Sequence, residues 1–376
     1  MKEGWQMIKI GDVCEVIAGQ SPEGKYYNSD GKGMPFYQGK KDFGDKSIKK
    51  PTTWTTQSKK IARKGDILMS VRAPVGPVNF TTGEICIGRG LAAIRTKDEL
   101  NRNFLFYQLL HKQPEIAGRE GAVFASINKS EIEALTIAFA NLPEQERIVR
   151  ILDEAFEGIA KVKTHTEKNL RNARALFESY LESVFSQRGE GWQTKTIGDV
   201  AEVIAGQSPE GSFYNNSGDG LPFYQGKKEF RERFIGPPKT WTSRSTKIAV
   251  EGDVLMSVRA PVGPVNFATE TSCIGRGLAA IRNGATLDKN FLFYFLLSKQ
   301  DEINGNEGAV FASINKAEIQ NITIPLPSLT EQCTIVSKLG AMQPETQRLE
   351  NINQRKLAAL EELKKSLLGK AFSGEL

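Results

Sequence analysis

A glycine-rich stretch near the start of the chain, AGQSPEGKYYN over residues 18–28, has most of the spacing with which a loop cradles nucleotide phosphates. Such a loop needs backbone N–H groups freed by glycine, a lysine for the phosphates and a hydroxyl for Mg²⁺ directly after that lysine. Tyr26 stands where the hydroxyl should be. The stretch returns as AGQSPEGSFYN over residues 205–215 with Ser212 in place of Lys25, so a nucleotide site is disfavoured.

Residues that build metal sites and active sites are sparse. The four cysteines show no CxxC spacing and there are two histidines, so a zinc site has few donors and the thiols are expected to be reduced. The sequence lacks a dinucleotide-type G-x-G-x-x-G, an N-P-P-Y or D-P-P-Y methyltransferase motif and a recognisable nuclease carboxylate cluster. It therefore predicts neither catalytic residues nor a metal site.

Composition and charge favour a globular protein and are compatible with a polyanionic partner. The chain has 376 residues, of which 39% are hydrophobic and 25% charged, as expected for two or three domains. No segment approaches the roughly 20 apolar residues that cross a bilayer, and no signal peptide is visible, so we expect a cytoplasmic location and no membrane partner. The net charge of +6 is concentrated in residues 1–140, which carry 21 Lys and Arg against 15 Asp and Glu, whereas residues 189–327 carry 14 against 15. A solvated lysine-rich surface explains this charge as well as a nucleic acid does.

The chain is one sequence repeated at a constant offset. GDILMSVRAPVGPVNF begins at Gly65 and GDVLMSVRAPVGPVNF at Gly252, which is an offset of 187 residues. The same offset relates PFYQGKK, CIGRGLAAIR and EGAVFASINK to their copies, without a gap. This self-similarity indicates two copies of one structural unit that account for nearly the whole chain.

Each copy has two parts with different hydrophobic periodicity. The first part is rich in glycine, proline, β-branched and aromatic residues, with short apolar runs between turn signals such as APVGP and IGRG. It predicts a β-rich domain with few helices, the clearest over residues 101–112. In the second part, from Ile148 to Val184, apolar residues alternate in steps of four and three, which predicts a long helix with one apolar seam. The fold class is therefore α+β.

A helix of about 40 residues is about 60 Å long and cannot bury such a seam alone. The twin stretch from Leu339 to Leu367 is its obvious partner, and the residues leave parallel and antiparallel pairing both open. Pro344 occupies the position of Glu157 in the second copy. It predicts a kink or a break there, because proline removes an intrahelical hydrogen bond.

The order of β-rich domain, long helix, β-rich domain and long helix resembles the specificity subunit of type I restriction–modification enzymes over the whole chain. LPEQERIV at the start of the first helix and AFSGEL at the end of the chain carry the resemblance. It implies two target recognition domains, residues 1–141 and 189–328, related by a pseudo-two-fold axis. It also implies that the helical regions 142–188 and 329–376 form an antiparallel coiled-coil spacer.

The resemblance further implies a non-catalytic DNA-recognition subunit. Each domain would read one half of a bipartite site in double-stranded DNA. The helices would set the gap and dock methyltransferase subunits, with restriction or translocase subunits as further partners. S-adenosylmethionine, ATP and Mg²⁺ belong to those partners, and no cofactor is expected in this chain. Two near-identical domains related by a two-fold axis predict an interrupted palindrome.

Candidate DNA-contacting residues are cationic, amide or aromatic residues that both copies share. Lysine and arginine suit phosphates, whereas glutamine and arginine can read base edges with paired hydrogen bonds. The first copy supplies Gln20, Tyr27, Tyr37, Gln38, Lys40, Lys41, Lys60, Arg72 and Arg89, and the second Gln207, Tyr214, Tyr224, Gln225, Lys227, Lys228, Lys247, Arg259 and Arg276. FYQGKK is the strongest element, because an aromatic residue, an amide and two cations lie together in a predicted loop. For single residues, the alternatives are that Gln20 caps its own turn, that Tyr37 belongs to the core and that Arg72 or Arg89 forms a buried ion pair.

Other cations differ between the copies. Lys25 becomes Ser212, Lys49 and Lys50 become Gly236 and Pro237, and Arg63 and Lys64 become Val250 and Glu251. These differences leave open whether the two domains bind equally and read the same bases.

The alternative function is a two-lobed protein-binding scaffold, which predicts no salt-dependent DNA affinity.

Overall fold

The computed structural model describes residues 4–118, 126–186, 189, 191–304 and 313–376. Most of EGAVFASINK and of its copy lies outside the described residues. The chain divides into two compact units: unit 1 is Met1–Thr166 with Arg355–Leu376, and unit 2 is Glu167–Gln354. Each unit holds one β-rich domain and a segment of both long helices.

The first copy runs from Gln6 to Ser186. Its strands are β1 Gln6–Lys9, β2 Cys14–Ala18, β3 Tyr27–Asn28, β4 Met34–Tyr37, β5 Trp54–Thr55, β6 Ile61–Ala62, β7 Ile67–Ser70, β8 Val78–Phe80, β9 Ile85–Ile87, β10 Leu91–Thr96 and β11 Thr136–Phe139. Its helices are α1 Ile10–Val13, α2 Arg102–Ala117, α3 Lys129–Ala134 and α4 Leu142–Ser186. The helix predicted over residues 101–112 is confirmed as α2.

The second copy repeats this order from Gln193 to Ser373. Its strands are β12 Gln193–Thr196, β13 Ala201–Ala205, β14 Tyr214–Asn215, β15 Leu221–Tyr224, β16 Trp241–Thr242, β17 Ile248–Ala249, β18 Val254–Ser257, β19 Val265–Phe267, β20 Ser272–Ile274, β21 Leu278–Asn283 and β22 Thr323–Leu326. Its helices are α5 Ile197–Val200, α6 Lys289–Ser298, α7 Gln300–Asn304, α8 Lys316–Gln320 and α9 Leu329–Ser373. Among the described residues, no helix combines the length and apolar character that crossing a membrane requires.

Each β-rich domain contains three sheets with the same strand order in both copies. In unit 1 the orders are β1-β11, β2-β10-β7-β8 and β3-β5-β4-β9-β6. In unit 2 they are β12-β22, β13-β21-β18-β19 and β14-β16-β15-β20-β17. The pair β4 and β9 is parallel, as is its copy β15 and β20, whereas the strands beside them pair antiparallel.

The four-stranded sheet is buried on both faces. In β7, Ile67 and Met69 join the core that contains α2, whereas Leu68 between them joins a second core with residues of the five-stranded sheet. Because both faces are covered, the strand reads as a continuous apolar run in the sequence instead of an alternating pattern.

A buried glutamine attaches each long helix to its domain. In unit 1 the Gln145 amide nitrogen donates to the carbonyl oxygens of Glu99 at 3.1 Å and Ala140 at 2.8 Å. Its amide oxygen accepts from the backbone N–H of Asn101 at 2.7 Å, and Asn101 is the N-cap of α2. Gln332 at the start of α9 makes the three equivalent hydrogen bonds in unit 2. The first turn of the long helix is therefore fixed to the start of α2 or α6.

Within unit 1, the end of α9 lies antiparallel to the first half of α4. Arg147 donates to the carbonyl oxygen of Leu376 at 2.6 Å, and further along α4 Lys163 pairs with Glu361 at 2.9 Å. As the residue number rises along α4, it falls along α9.

The helix segments in unit 2 are also antiparallel. Arg174 of α4 pairs with Glu350 of α9 at 3.0 Å. Later on α4, Phe177 packs on Tyr294, whose hydroxyl donates to Gln343 at 3.1 Å. The α+β fold class, with two β-rich domains and antiparallel long helices, is confirmed, and parallel pairing is excluded.

Of the kink or break predicted at Pro344, the break is absent, since α9 runs continuously from Leu329 to Ser373. Proline at this position removes the hydrogen bond to the carbonyl of Gly340. The flanking turns are held by packing, since Leu339 is fully buried and Thr346 is 4% exposed. Tertiary packing therefore outweighs the missing hydrogen bond.

A polar contact between domain and long helix differs between the units. In unit 1, Asp153 of α4 accepts hydrogen bonds from Lys46 at 2.7 Å and from the Tyr107 hydroxyl at 2.5 Å. Burial, and then the hydrogen bond to this carboxylate, raise the pKa of Tyr107. Arg233, the counterpart of Lys46 in unit 2, donates to the Tyr294 hydroxyl at 3.1 Å. Gly340 stands where unit 1 has Asp153.

Unit 2 therefore has the cation of this contact without its carboxylate. Arg233 also donates to the Asn290 side chain at 2.7 Å, but its buried Nε has no hydrogen-bond partner among the described residues. A Cβ placed on Gly340 would lie 3.8 Å from the Tyr294 hydroxyl, so a side chain fits there.

We expect Gly340→Asp to unfold at a higher temperature than Gly340→Ala, measured by circular dichroism. Alanine alone should stabilise the helix by about 1 kcal/mol relative to glycine, and aspartate is intrinsically the poorer helix former by up to about 0.7 kcal/mol. A higher melting temperature for the aspartate variant therefore requires a new contact with Arg233 or Tyr294. The opposite order would show that no such contact forms.

Candidate nucleic-acid interface

Three strand ends converge at one end of the five-stranded sheet of unit 1. Gln38 follows β4 and Arg89 follows β9 shortly after these parallel strands end, and Lys60 directly precedes the antiparallel strand β6. The backbone ties them together, since Gly88 N–H donates to the Tyr37 carbonyl at 2.8 Å and Ile87 N–H to the Lys60 carbonyl at 2.9 Å. We call this the sheet end. Unit 2 repeats both hydrogen bonds at 2.8 and 2.9 Å around Gln225, Arg276 and Lys247.

The glycine-rich stretch 18–28 crosses the same sheet end. Gln20 N–H donates to the Ile87 carbonyl at 2.9 Å, and its side chain is exposed. A Cβ on Gly19 would collide with the backbone of Gly88 and Leu91, so glycine is required for close approach of two backbone segments. The equivalent glycine of unit 2 meets the same collision. The stretch is therefore a packed crossing that presents Gln20 or Gln207.

Ser21 and its copy Ser208 hold the polar groups of the sheet end. The Ser21 hydroxyl accepts from Arg89 N–H at 3.2 Å. The Ser208 hydroxyl accepts from Arg276 N–H at 3.3 Å and donates to the Gln225 side-chain oxygen at 3.1 Å. This contact leaves the Gln225 amide nitrogen free to donate outward. Residue types alone did not identify these serines, although both copies keep them within GQSP.

Arg72 approaches the sheet end from the neighbouring sheet. Val71 N–H donates to the Gly90 carbonyl at 3.0 Å, which brings Arg72 beside Arg89. The two arginines line a cleft of about 490 Å³ that Lys129 also borders. In unit 2 the same backbone hydrogen bond, from Val258 to Gly277, places Arg259 near Arg276.

The remaining predicted lysines are presented by a short turn. Lys40 and Lys41 open the 3-10 turn Lys40–Asp42, which follows Gln38 by one residue, and both side chains are exposed. Lys227 and Lys228 occupy the same turn in unit 2.

The predicted tyrosines belong to the scaffold. Tyr37 is 2% exposed and its hydroxyl donates to the Lys49 carbonyl at 2.7 Å, and Tyr224 is 1% exposed and donates to the Gly236 carbonyl at 3.1 Å. Burial raises the pKa of Tyr37 and, with help from Glu270 and Glu229, that of Tyr224 to about 12, so both hydroxyls remain donors. We correct the prediction of exposed aromatic contacts here: Tyr37 and Tyr224 lie in the core instead of on the surface.

Tyr27 and Tyr214 are half-buried. Tyr27 stacks on Phe36 at 4.8 Å between ring centroids, and its hydroxyl donates to the Pro22 carbonyl at 2.9 Å. Tyr214 does the same with Phe223 at 4.7 Å and Pro209 at 2.9 Å. Their main contacts therefore support the glycine-rich stretch.

The cations of the sheet end are electrostatically available. Lys40, Lys41, Lys60, Arg72 and Arg89 are exposed, and none forms an ion pair within the described ranges. Arg95 is the contrast, since it forms two hydrogen bonds with the buried carboxylate of Asp66 at 3.0 and 2.8 Å. The buried ion pair considered for Arg72 or Arg89 is thus absent and belongs to Arg95 instead.

An exposed group of cations and amides, presented twice, suits binding of a polyanion by two equivalent heads. In the part of the chain that the structure describes, no cluster of three His, Cys, Asp or Glu side chains could hold a metal ion. The geometry defines a protein with two similar recognition surfaces, each carried by a β-rich domain on a long helix.

Comparison with known proteins identifies the family. The model of the type I restriction modification DNA specificity domain matches residues 2–171 and again residues 189–361. The chain belongs to this family, which confirms the resemblance found in LPEQERIV and AFSGEL.

Individual relatives agree over nearly the full length. The chain is 33% identical over 340 residues to the type I restriction enzyme MjaX specificity subunit of Methanocaldococcus jannaschii, with 83% of this chain and 78% of that protein covered. It is 29% identical to a chain in a structure that describes complex assembly and conformational transition of the type I R-M system, with a TM-score of 0.87 and coverage of 100% and 99%. It is also 29% identical to the HsdS subunit from Thermoanaerobacter tengcongensis, with a TM-score of 0.65 and coverage of 100% and 98%.

We predict that Ser21→Ala combined with Ser208→Ala weakens sequence preference more than DNA affinity. Loss of the hydroxyls frees Gln225 and the arginine loops, so preference for the recognised sequence over an unrelated duplex should fall roughly fivefold, or about 1 kcal/mol. Competition binding by fluorescence anisotropy measures this ratio. The exposed helical twins Ser179→Ala and Ser366→Ala are the matched control. A ratio equal to that of the control would show that the serines have no positioning role.

Proposed function

We propose that this chain is the DNA-recognition subunit of a type I restriction–modification complex, with one half-site read by each β-rich domain. The observation that carries the proposal is the sheet end, which recurs in both units with the same exposed glutamines, arginines and lysines and the same backbone hydrogen bonds. Planar arginine and glutamine groups suit base edges, and the unpaired lysines suit phosphates. The chain contributes recognition and no catalysis.

Within this proposal the domains are residues 1–141 and 189–328, and residues 142–188 and 329–376 set the gap between half-sites. Identical candidate reading residues in both copies support near-identical half-sites, arranged as an interrupted palindrome. The long helices would also dock methyltransferase subunits, which bring S-adenosylmethionine. Restriction or translocase subunits would bring ATP and Mg²⁺. Because chromosomal DNA is the proposed ligand, we place the complex in the cytoplasm.

The test is a map of methylated bases. The chain would be expressed with a cognate methyltransferase subunit in a host without other modification, and methylated positions mapped by single-molecule sequencing. We expect methylation confined to one interrupted palindrome. Methylation of an asymmetric bipartite site would retain the subunit assignment and reject equivalence of the domains. An active methyltransferase that marks no defined sequence would reject the proposal in favour of a protein-binding scaffold.

Replacing the equivalent arginines Arg89 and Arg276 one at a time tests which domain reads which half of the site. Arg89→Ala should relax the sequence requirement in one half and Arg276→Ala in the other, since a paired arginine–guanine contact contributes about 1–3 kcal/mol of discrimination. Each variant is the control for the other, because they remove the same group from equivalent surfaces. If neither substitution changed the methylated sequence, these arginines would not read bases.

A further inference from the structure

The residues that flank the edge strand of the five-stranded sheet differ between the units more than the sheet end does. In unit 1 the edge strand is β6, which lies outermost in the order β3-β5-β4-β9-β6. Two cations precede it and two follow it, within the segment KKIARK of residues 59–64. In unit 2 the segment is TKIAVE of residues 246–251, with one cation and one anion. The local charge is therefore +4 in unit 1 and zero in unit 2.

The four cations of unit 1 are free to bind a ligand. Lys59, Lys60, Arg63 and Lys64 are exposed, and none forms an ion pair with another described residue. The nearest acidic residue along the ladder is Glu84, directly before Ile85, and it makes no ion pair with Arg63 within the described chain.

A fifth cation extends the charged surface. The guanidinium of Arg102 lies over Gly65, where a Cβ would come within 2.5 Å of Nη1. Because Gly65 directly follows Lys64, Arg102 continues the row beyond the strand. Unit 2 keeps this cation, since Lys289 is the counterpart of Arg102 and its Nζ would lie 3.3 Å from a Cβ placed on Gly252. Along this edge, the difference in charge between the units is therefore confined to residues 59–64 and 246–251.

Protection of the edge does not explain these cations. Lysines on an edge strand prevent pairing with other chains. The same edge in unit 2 has Val250 and Glu251 in place of Arg63 and Lys64, and Ile248 is as exposed there, at 37%, as Ile61 is in unit 1, at 38%. Both edges have the same pairing to the neighbouring strand. The fold therefore does not require the cations.

The position of the edge suits the DNA backbone. Lys60 belongs to the sheet end, and Arg63 lies three residues further along the chain, just beyond the two-residue strand β6, which is at most about 10 Å. The major groove is about 12 Å wide. When the sheet end contacts such a groove, a phosphate at the border of the groove lies about as far from the sheet end as Arg63 lies from Lys60.

We propose that the cations of residues 59–64 form a phosphate-binding edge that unit 1 has and unit 2 lacks. This edge holds duplex DNA without reading its sequence, so unit 1 supplies the larger share of non-specific affinity. The inference rests on the proposed function and adds to it an unequal division of DNA binding between the two domains.

The test is the salt dependence of DNA binding by Arg63→Val combined with Lys64→Glu. These substitutions install the residues of unit 2, whose backbone already accommodates them. Affinity of the full chain for a fluorescein-labelled duplex of unrelated sequence would be measured by anisotropy between about 50 and 200 mM salt. Each lost phosphate contact should reduce the slope of log affinity against log salt by about 0.9, so we expect a reduction of about 1 to 2.

The control changes the net charge equally at another place. Lys168→Glu with Arg171→Val alters two exposed residues of α4 by the same three charges, and we expect it to leave the slope unchanged. Arg63→Gln with Lys64→Gln serves if the first variant does not fold. Equal slopes for the edge variant and this control would overturn the inference while leaving the proposed function intact. If the wild-type chain showed no salt-dependent binding, the proposed function itself would fail, and the inference with it.

Discussion

The architecture of each unit depends on a buried amide that must be satisfied. Gln145 is fully buried, as is Gln332, and each uses its amide group in three hydrogen bonds. Two of them join the first turn of a long helix to the loop before α2 or α6, and the third goes to the segment directly before the long helix. An unmade hydrogen bond here would cost about 1–3 kcal/mol, so the glutamine accepts one placement of the helix on its domain. This junction sets the direction in which the long helix leaves its domain. The hydrophobic seam and the antiparallel contacts then follow that direction along the helix. The EQ within LPEQ and LTEQ is thus informative because its glutamine is a structural joint.

Much of this fold could be predicted from the sequence, because the constant repeat offset and the spacing of apolar residues indicate how the whole chain is organised. The offset of 187 residues identified two equivalent copies of one sequence. The spacing of the apolar residues in the seam identified the long helices, which span 45 residues each. The strands of the four-stranded sheet gave a weaker signal, since Ile67, Leu68 and Met69 are all buried and show no alternation of apolar and polar residues. Pro344 does not end α9, because packing outweighs local propensity and the buried turns beside it keep the helix continuous.

Exposure of the candidate residues was predictable for the cations and amides and not for the aromatic residues. Glutamine and lysine in a loop have little reason to be buried, so Gln38 and Lys40 emerge exposed as expected. A tyrosine is compatible with either environment, because its ring packs in a core while its hydroxyl needs one acceptor. The Tyr37 hydroxyl donates to the Lys49 carbonyl, so the side chain can be buried and is not exposed to solvent. Ser21 escaped notice for the opposite reason, since a small hydroxyl becomes important only when the fold brings Arg89 to it.

The duplication provides an internal comparison that a single domain would not. Two copies with the same strand order and register must satisfy the same packing, so residues that differ at equivalent exposed positions are not held by the fold. The copies keep the sheet end and change the residues that flank the edge strand, which separates a surface under a shared constraint from one that is free to diverge. They also differ where domain meets helix, with Asp153 in one and Gly340 in the other. Two heads can therefore share a reading geometry and still differ in how strongly they bind and how firmly they are held, since these properties reside on residues that the common scaffold leaves unconstrained.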